Sequence, residues 1–542
     1  MTTAADHDAM PTDAPQQPTV RDAFFRLMRD LQIDTIFGNP GSTELPMFRD
    51  FPSDFRYVLG LQESVVVGMA DGYAQATGNA ALVNLHSAAG VGHAMGNIFT
   101  AFKNQTPLIV TAGQQARSIL AFDPFLSATQ ATDLPKPYVK WACEPARAED
   151  VPLALARAYH IAMLAPRGPV FVSIPADDWD RPADYVELRQ VSRSIAPDPA
   201  MLGQLAGVLN RAQRPVIVAG TGVDRDSAMD LVVELAERHC AAVYTAPMSA
   251  RCAFPETHRL FGGFLPAMRE RIVEKLAGHD LVLVLGAPAF LYHVEGQGPH
   301  LPEGASLWQI VDDPQTAAWT PTGNSLVASL HLAVGELLQA SNPPKRTLPP
   351  AVARTEPAAA SSPMEVAYAL QVLNDVRHED DVVVEEAPGS RGVMQVRLPM
   401  SGAESFYTMA SGGLGYGMPA AVGVALGRQR KGMAGRTIAL IGDGSSMYSI
   451  QALYTAAQQA LPITFVILNN RRYAALQDFA PVFGFAPGEK PAGTDLPDLD
   501  FVSLARGQGL PATRVDDPSQ LADNLRAALT ATGPCLIELV VT

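Results

Sequence analysis

Residues 437–470 read TIALIGDGSSMYSIQALYTAAQQALPITFVILNN. An apolar run leads into Gly442-Asp443-Gly444-Ser445, a helix-like run follows, and a second apolar run closes on Asn469-Asn470. Strand, small-residue turn, helix and strand in that order are the mark of a parallel sheet. Adjacent parallel strands end at one edge, so Asp443 and Asn470, 27 residues apart (470 − 443), are expected to meet there. Small residues after a strand let the backbone approach a ligand, and N–H groups at a helix start favour phosphate oxygens. The Asp carboxylate, the Asn amide oxygen and the carbonyl of Arg472 make an oxygen-only set suited to Mg²⁺ carrying a diphosphate.

The same alternation extends along the chain and predicts an α/β protein of three domains with parallel sheets flanked by helices. Expected boundaries are a disordered tail over 1–18, a first domain over 19–192, a middle domain over 199–340 and a third over 363–542. Between the last two lies a Pro/Ala/Ser-rich linker, 341–362. The first domain opens on a capping-box pattern, Thr19-Val-Arg-Asp22, ahead of a helix. The outer domains echo each other: "VNLHSAAGVGHAMGNIFTAFKNQTPLIVTAG" has the plan of the opening stretch, and the units end alike on "RGPVFVSIP" and "TGPCLIELV". Two copies of one fold around a different middle domain are expected.

Forty basic against 55 acidic residues leave a formal charge of −15, which argues against nucleic acid or an anionic membrane as partner. The four cysteines are scattered without metal-ligand spacing and read as free thiols in a reducing, cytoplasmic setting. No apolar run is long enough for a membrane span, and the polar N-terminus does not read as a signal peptide. No GxGxxG with a distant acid supports a dinucleotide-dependent oxidoreductase.

GDGS, a helix, a strand and then NN at this spacing resemble the fingerprint of the thiamine-diphosphate decarboxylase and synthase superfamily. The resemblance covers almost the whole chain and implies a pyrimidine-binding first domain and a diphosphate-binding third domain. It implies thiamine diphosphate and Mg²⁺ (or Ca²⁺) as cofactors, with Asp443, Asn470 and the Arg472 carbonyl on the metal. Glu63 of "LGLQESVVVG" is implied as the acid on the pyrimidine, with the apolar run after it keeping it partly buried. Gly412 and Leu414 of "MASGGLGYGMP" are implied to hold the cofactor, as are Gly442, Gly444, Ser445 and Tyr473. Each site is implied to draw on two chains, making a homodimer the smallest active unit and a homotetramer the common form.

"GNPGS.ELP", "NLHSAAG", "PLIVTAGQQ", "GAP.F.YH" and "SI.ALYTAAQ" further resemble the benzoylformate decarboxylase branch. That implies Ser42 on the substrate carboxylate and His86 and His293 relaying protons. It implies an apolar pocket of Phe125, Leu126, Thr408, Ala475, Leu476 and Phe479. The implied reaction is non-oxidative decarboxylation of an aromatic 2-oxo acid, benzoylformate to benzaldehyde, through a thiamine ylid and an enamine, with carboligation as a side activity. Taken singly, Ser42 is as well read as a helix cap, and the histidines as interior residues. Three positions depart from that branch: "EEAPGSRG" (385–392) in place of a Ser/Thr-rich loop, His93 for an asparagine, and Thr408 for an aromatic. They leave open a bulkier or aliphatic 2-oxo acid, or a carboligase or lyase with the same cofactor.

Overall fold

A computed structural model describes residues 17–352 and 355–542, so nearly all of the expected tail lies outside the described residues. Among the described residues, eighteen strands form three six-stranded sheets whose neighbouring strands all pair in parallel. The first sheet holds β1 (Thr35–Gly38), β2 (Arg56–Leu59), β3 (Ala81–Leu85), β4 (Leu108–Gln114), β5 (Ala142–Cys143) and β6 (Val170–Pro175) in the order β2-β1-β3-β4-β6-β5. The middle sheet holds β7 (Pro215–Ala219), β8 (Ala242–Thr245), β9 (Phe261–Phe264), β10 (Leu281–Leu285), β11 (Ser306–Val311) and β12 (Asn324–Val327). The third holds β13 (Val382–Glu386), β14 (Phe406–Tyr407), β15 (Thr437–Gly442), β16 (Ile463–Asn469), β17 (Ala512–Val515) and β18 (Cys535–Val540).

The third sheet runs β14-β13-β15-β16-β18-β17, the order of the first sheet strand for strand. The outer domains are therefore two copies of one topology, as their parallel sequence plans predict. The repeat reaches the loops: β1 runs into Asn39-Pro40-Gly41-Ser42 and β13 into Ala387-Pro388-Gly389-Ser390. The middle sheet runs β12-β11-β10-β7-β8-β9, the doubly wound order of dinucleotide-binding domains. Its switch point, between β7 and β10, is closed by the chain itself, because Gly222 N–H donates to the Gly286 carbonyl at 2.9 Å. Buried Val, Ile and Leu fill the strands on both faces, as parallel sheets covered by helices require.

The outer domains are joined by α1 (Glu63–Thr77) and α3 (Gly417–Arg430), with α2 (Ser87–Asn104) beside them. Gly423 of α3 rests on the Met69 carbonyl of α1 so closely that a Cβ there would overlap it. Asp71 of α1, fully buried, is held by Gln75 (2.5 Å), Thr106 (3.2 Å), Asn104 (3.3 Å) and Tyr416 (3.4 Å). Arg251 fastens the middle domain to both neighbours: it pairs with Asp224 (2.6 Å), donates to Gln75 (3.1 Å) and lies 4.2 Å over the Tyr407 ring. No helix among the described residues is long and apolar enough to cross a membrane.

Candidate active site

β15 and β16 pair in register from Thr437–Ile463 to Gly442–Leu468, which brings Asp443 and Asn470 to one edge. Asp443 Oδ2 lies 3.3 Å and Asn470 Oδ1 3.2 Å from the same atom, the backbone N of Arg472, so the two oxygens converge. Asp443 is buried and its other oxygen accepts the Gly444 N–H at 2.7 Å. Burial pushes its carboxyl above the usual carboxylate range, against the pull of these backbone donors. A cation would reverse the effect of that burial. Gly444 lies directly under the Tyr473 ring, which a Cβ would strike. Ser445 is buried in the same one-turn helix, Asp443–Ser446, capped by Gly442. A buried acid, a converging amide oxygen and bare backbone beneath a ring fit a diphosphate carried by a divalent cation.

A second cluster forms where β1, β3 and β4 end. Glu44 is buried and accepts the N–H groups of Gly41 (2.9 Å) and Gly113 (3.0 Å) and the Thr43 hydroxyl (2.6 Å). Its Oε2 is 2.9 Å from His86 Nδ1. A carboxylate satisfied by backbone donors accepts from the ring, so Nδ1 carries the hydrogen and Nε2 is left for other chemistry. Gly41 packs flat on the imidazole, where a Cβ would collide with it. Ser42, next in the loop, is exposed, and the short helix Leu45–Phe48 starts from Glu44, so Ser42 does not cap it. Glu63 opens α1 with its side chain 12 % exposed, taking Asn39 Nδ2 at 3.3 Å and His93 Nδ1 at 3.1 Å. The asparagine-to-histidine departure at 93 therefore stands on the candidate pyrimidine acid. Ser87 and Leu126 both have positive φ (48° and 65°), and the Ser87 hydroxyl donates to the Leu126 carbonyl at 2.6 Å.

Of the remaining residues, His293, Phe479 and Thr408 lie where the middle and third domains meet. His293 follows β10, and its ring stacks on Phe479 with centroids 4.9 Å apart and planes 8° apart. Phe479 closes α4 (Ala474–Phe479), the helix of Ala475 and Leu476. Thr408 is buried; its hydroxyl is 2.8 Å from the Glu385 carbonyl and accepts Arg391 Nη2 at 2.8 Å. Gly412 takes φ 73° and Leu414 packs its side chain against the outer-domain core. The loop carrying them is pinned to α2 by Thr100 to Ser411 (2.9 Å) and by Asn97 to the Gly415 carbonyl (3.1 Å).

Among the described residues, no hydrogen bond, ion pair or ring contact joins Ser42, Glu63 or His86 to Asp443, Asn470 or His293. Each cluster opens on exposed apolar side chains, Phe125 at 87 % on one and Leu476 at 56 % on the other. Glu44, Asn39 and Arg391 are site residues that motif reading missed. Glu44 had a signal, an acid two positions past Ser42, but nothing local pairs it with a histidine 42 positions on.

Three family descriptions match in order: the N-terminal TPP binding domain of thiamine pyrophosphate enzymes over residues 18–133, the central domain over 202–337 and the C-terminal TPP binding domain over 389–539. The chain is 44 % identical over 527 residues to benzoylformate decarboxylase of Pseudomonas aeruginosa, covering 96 % of this chain and 98 % of that one. The crystal structure of benzoylformate decarboxylase from Polynucleobacter necessarius superposes with a TM-score of 0.94 at 39 % identity, covering 96 % of this chain and 98 % of that one. The thiamine diphosphate-dependent 4-hydroxybenzoylformate decarboxylase of Rhodococcus jostii RHA1 superposes with a TM-score of 0.92 at 40 % identity, covering 97 % and 99 %.

Proposed function

The chain belongs to the thiamine pyrophosphate enzyme family and is a thiamine-diphosphate-dependent carboxy-lyase, and from that premise we propose that it decarboxylates an aromatic 2-oxo acid, benzoylformate first among them, to the aldehyde. The observation that carries this reading is the Glu44–His86 pair beside Ser42, which leaves a proton-relaying Nε2 at a strand edge. The identity to benzoylformate decarboxylase across the whole chain supports it.

Asp443, Asn470 and the Arg472 carbonyl would hold Mg²⁺, and Gly442, Gly444, Ser445 and Tyr473 would seat the diphosphate. Glu63 would bond the pyrimidine nitrogen, the Gly412 carbonyl its amino group, and Leu414 would support the ring system. Thiamine diphosphate, when bound, supplies the nucleophilic carbon and the electron sink for loss of CO₂. The Ser42 hydroxyl would hold the substrate carboxylate in a fixed orientation as the C–C bond to it breaks. His86 Nε2, its ring fixed through Nδ1, gives and takes the proton at the former keto oxygen. His293, steadied on Phe479, serves the carbon that becomes the aldehyde. Phe125, Leu126, Ala475, Leu476 and Phe479 exclude water around the acyl group. Capture of a second aldehyde in place of a proton gives carboligation as a side activity.

The acid Glu63 and the metal ligands stand in separate clusters whose rims are apolar and exposed. A second copy of the chain therefore completes each site, as a homodimer and in the expected homotetramer. The substrate claim is tested by incubating purified protein with thiamine diphosphate, Mg²⁺ and benzoylformate and identifying the products. Equal yields of benzaldehyde and CO₂ are expected. No benzaldehyde from protein that binds the cofactor would rule benzoylformate out. The small side chain at Thr408 favours a second reading, a bulkier acyl group on the same chemistry.

A further inference from the structure

We propose that Glu386 is a positioning residue for the cofactor: its buried carboxylate holds the loop 412–417 at a fixed distance from the turn 442–445, so that both ends of thiamine diphosphate are seated at once. This rests on the cofactor placement above and deepens it.

Glu386 ends β13 and is 1 % exposed. In the sheet it lies opposite Ile441, the residue before Gly442 and Asp443. Its backbone is therefore built into the strand pair that carries the diphosphate turn. Its side chain reaches the other half of the site. Oε1 accepts the Gly415 N–H at 2.6 Å, and Oε2 accepts the Gly417 N–H. Gly412, at φ 73°, and Leu414 precede these donors in the same loop. The Gly415 carbonyl is taken by Asn97 of α2 at 3.1 Å. Gly415 is thus held through its N–H by the third domain and through its carbonyl by the first. A Cβ on Gly417 would stand 2.7 Å from Glu386 Cβ and from Ile441 Cδ1, so the loop lies directly on the end of the strand pair.

The surroundings of this carboxylate favour holding a loop over pairing a charge. Its neighbour Glu385 is paired with Arg391, whereas no cation pairs with Glu386 among the described residues. Burial pushes the Glu386 carboxyl up to about 7, against the pull of the Gly417 and Gly415 N–H groups, and the nearby Glu385 adds to the rise. The loop's own backbone donors are therefore what offsets the buried charge. Two oxygens on two N–H groups fix both the place and the tilt of the segment. Capping α3 alone would need only the Gly417 bond, since Tyr416 at the helix cap supplies no side-chain acceptor. The Gly415 bond lies before the helix and next to Leu414, where it serves the loop.

The test is calorimetric titration of the cofactor-free protein, in the presence of Mg²⁺, with two probes. Thiamine diphosphate needs loop and turn together; inorganic pyrophosphate needs the turn alone. Glu386→Gln keeps the shape but has one oxygen for two N–H groups. With a buried donor left unpaired, thiamine diphosphate should bind at least about tenfold more weakly. Pyrophosphate should stay within about twofold of the parent, because the β13–β15 ladder keeps its backbone bonds. Glu386→Asp keeps the charge but falls a methylene short of the loop. It should show the same split, which carries the test if the glutamine variant does not fold. Equal weakening of both probes would make Glu386 a support of the whole third domain. Unchanged binding of thiamine diphosphate would make the loop independent of it. Either result overturns this inference and leaves the cofactor placement standing. A parent that binds neither probe overturns that placement and this inference with it.

Discussion

Glu44 Oε2 stands 2.9 Å from His86 Nδ1, and the same carboxylate is anchored by the backbone N–H groups of Gly41 and Gly113. Three strand ends thereby fix one imidazole. Glu44→Gln keeps the shape but replaces an acceptor by a donor, so the ring loses its tautomer and aim. Removal of such an orienting partner costs about 10- to 100-fold. A fall in kcat of that size is expected with cofactor affinity unchanged; titration of thiamine diphosphate by circular dichroism beside steady-state rates checks it. Equal loss of cofactor binding would place Glu44 in folding instead.

Gly444 offers a second test, because its missing side chain is the space occupied by the Tyr473 ring. Gly444→Ala should weaken cofactor binding at least about tenfold by displacing either the ring or the turn, in line with the overpacking cost of about 1–3 kcal/mol. Tyr473→Ala in the same chain should restore part of the affinity. A double variant no better than Gly444→Ala would show that the ring is not the obstacle.

The junction of the outer domains depends on Gly423, whose neighbour is the Met69 carbonyl and not a side chain able to turn away. Gly423→Ala should lower stability by about 1–3 kcal/mol. Chemical unfolding of the intact protein measures it, and a shift within error of the parent would contradict this packing.

Asp71 carries a pH dependence. Burial pushes its carboxyl up to about 6, against the opposing donors Gln75, Asn104, Thr106 and Tyr416. The folded chain binds this proton more tightly than the unfolded chain. Its contribution to stability is therefore full below about pH 4 and is lost as the pH rises through about 6. At about 1.4 kcal/mol per pH unit, the parent should lose about 3 kcal/mol relative to Asp71→Asn across that window. Unfolding midpoints of both proteins from pH 4 to 7 test it; parallel curves would contradict it.

The local motifs were legible because each lies within one β-α-β unit. The spacing of Asp443 and Asn470 spells one helix and one strand, and β15 beside β16 places them accordingly. Glu44 and His86 could not be paired this way. They meet because β1 lies beside β3, with Gly38 opposite Asn84, and neighbouring strands are decided by packing, not by spacing. Thr408 is expected to line the acyl pocket, but nothing in the sequence says that its hydroxyl is bonded to Glu385 and Arg391; that follows from the charge pair the 385–392 loop buries beside it. The separation of Glu63 from the metal edge was implied only by family resemblance, since nothing in a linear sequence says which copy of a repeated domain faces which.

That separation gives the most direct measurement. Glu63→Gln and Asp443→Asn each leave one cluster intact and damage the other. Chains carrying one or the other, co-expressed in equal amounts, should each be inactive as pure assemblies. Their mixed dimers should hold one undamaged site of two, returning about a quarter of the parent's decarboxylation per chain. Activity at that level would establish a site shared between copies. Mixed assemblies as inactive as the pure ones, with cofactor bound, would contradict it and return both clusters to a single chain.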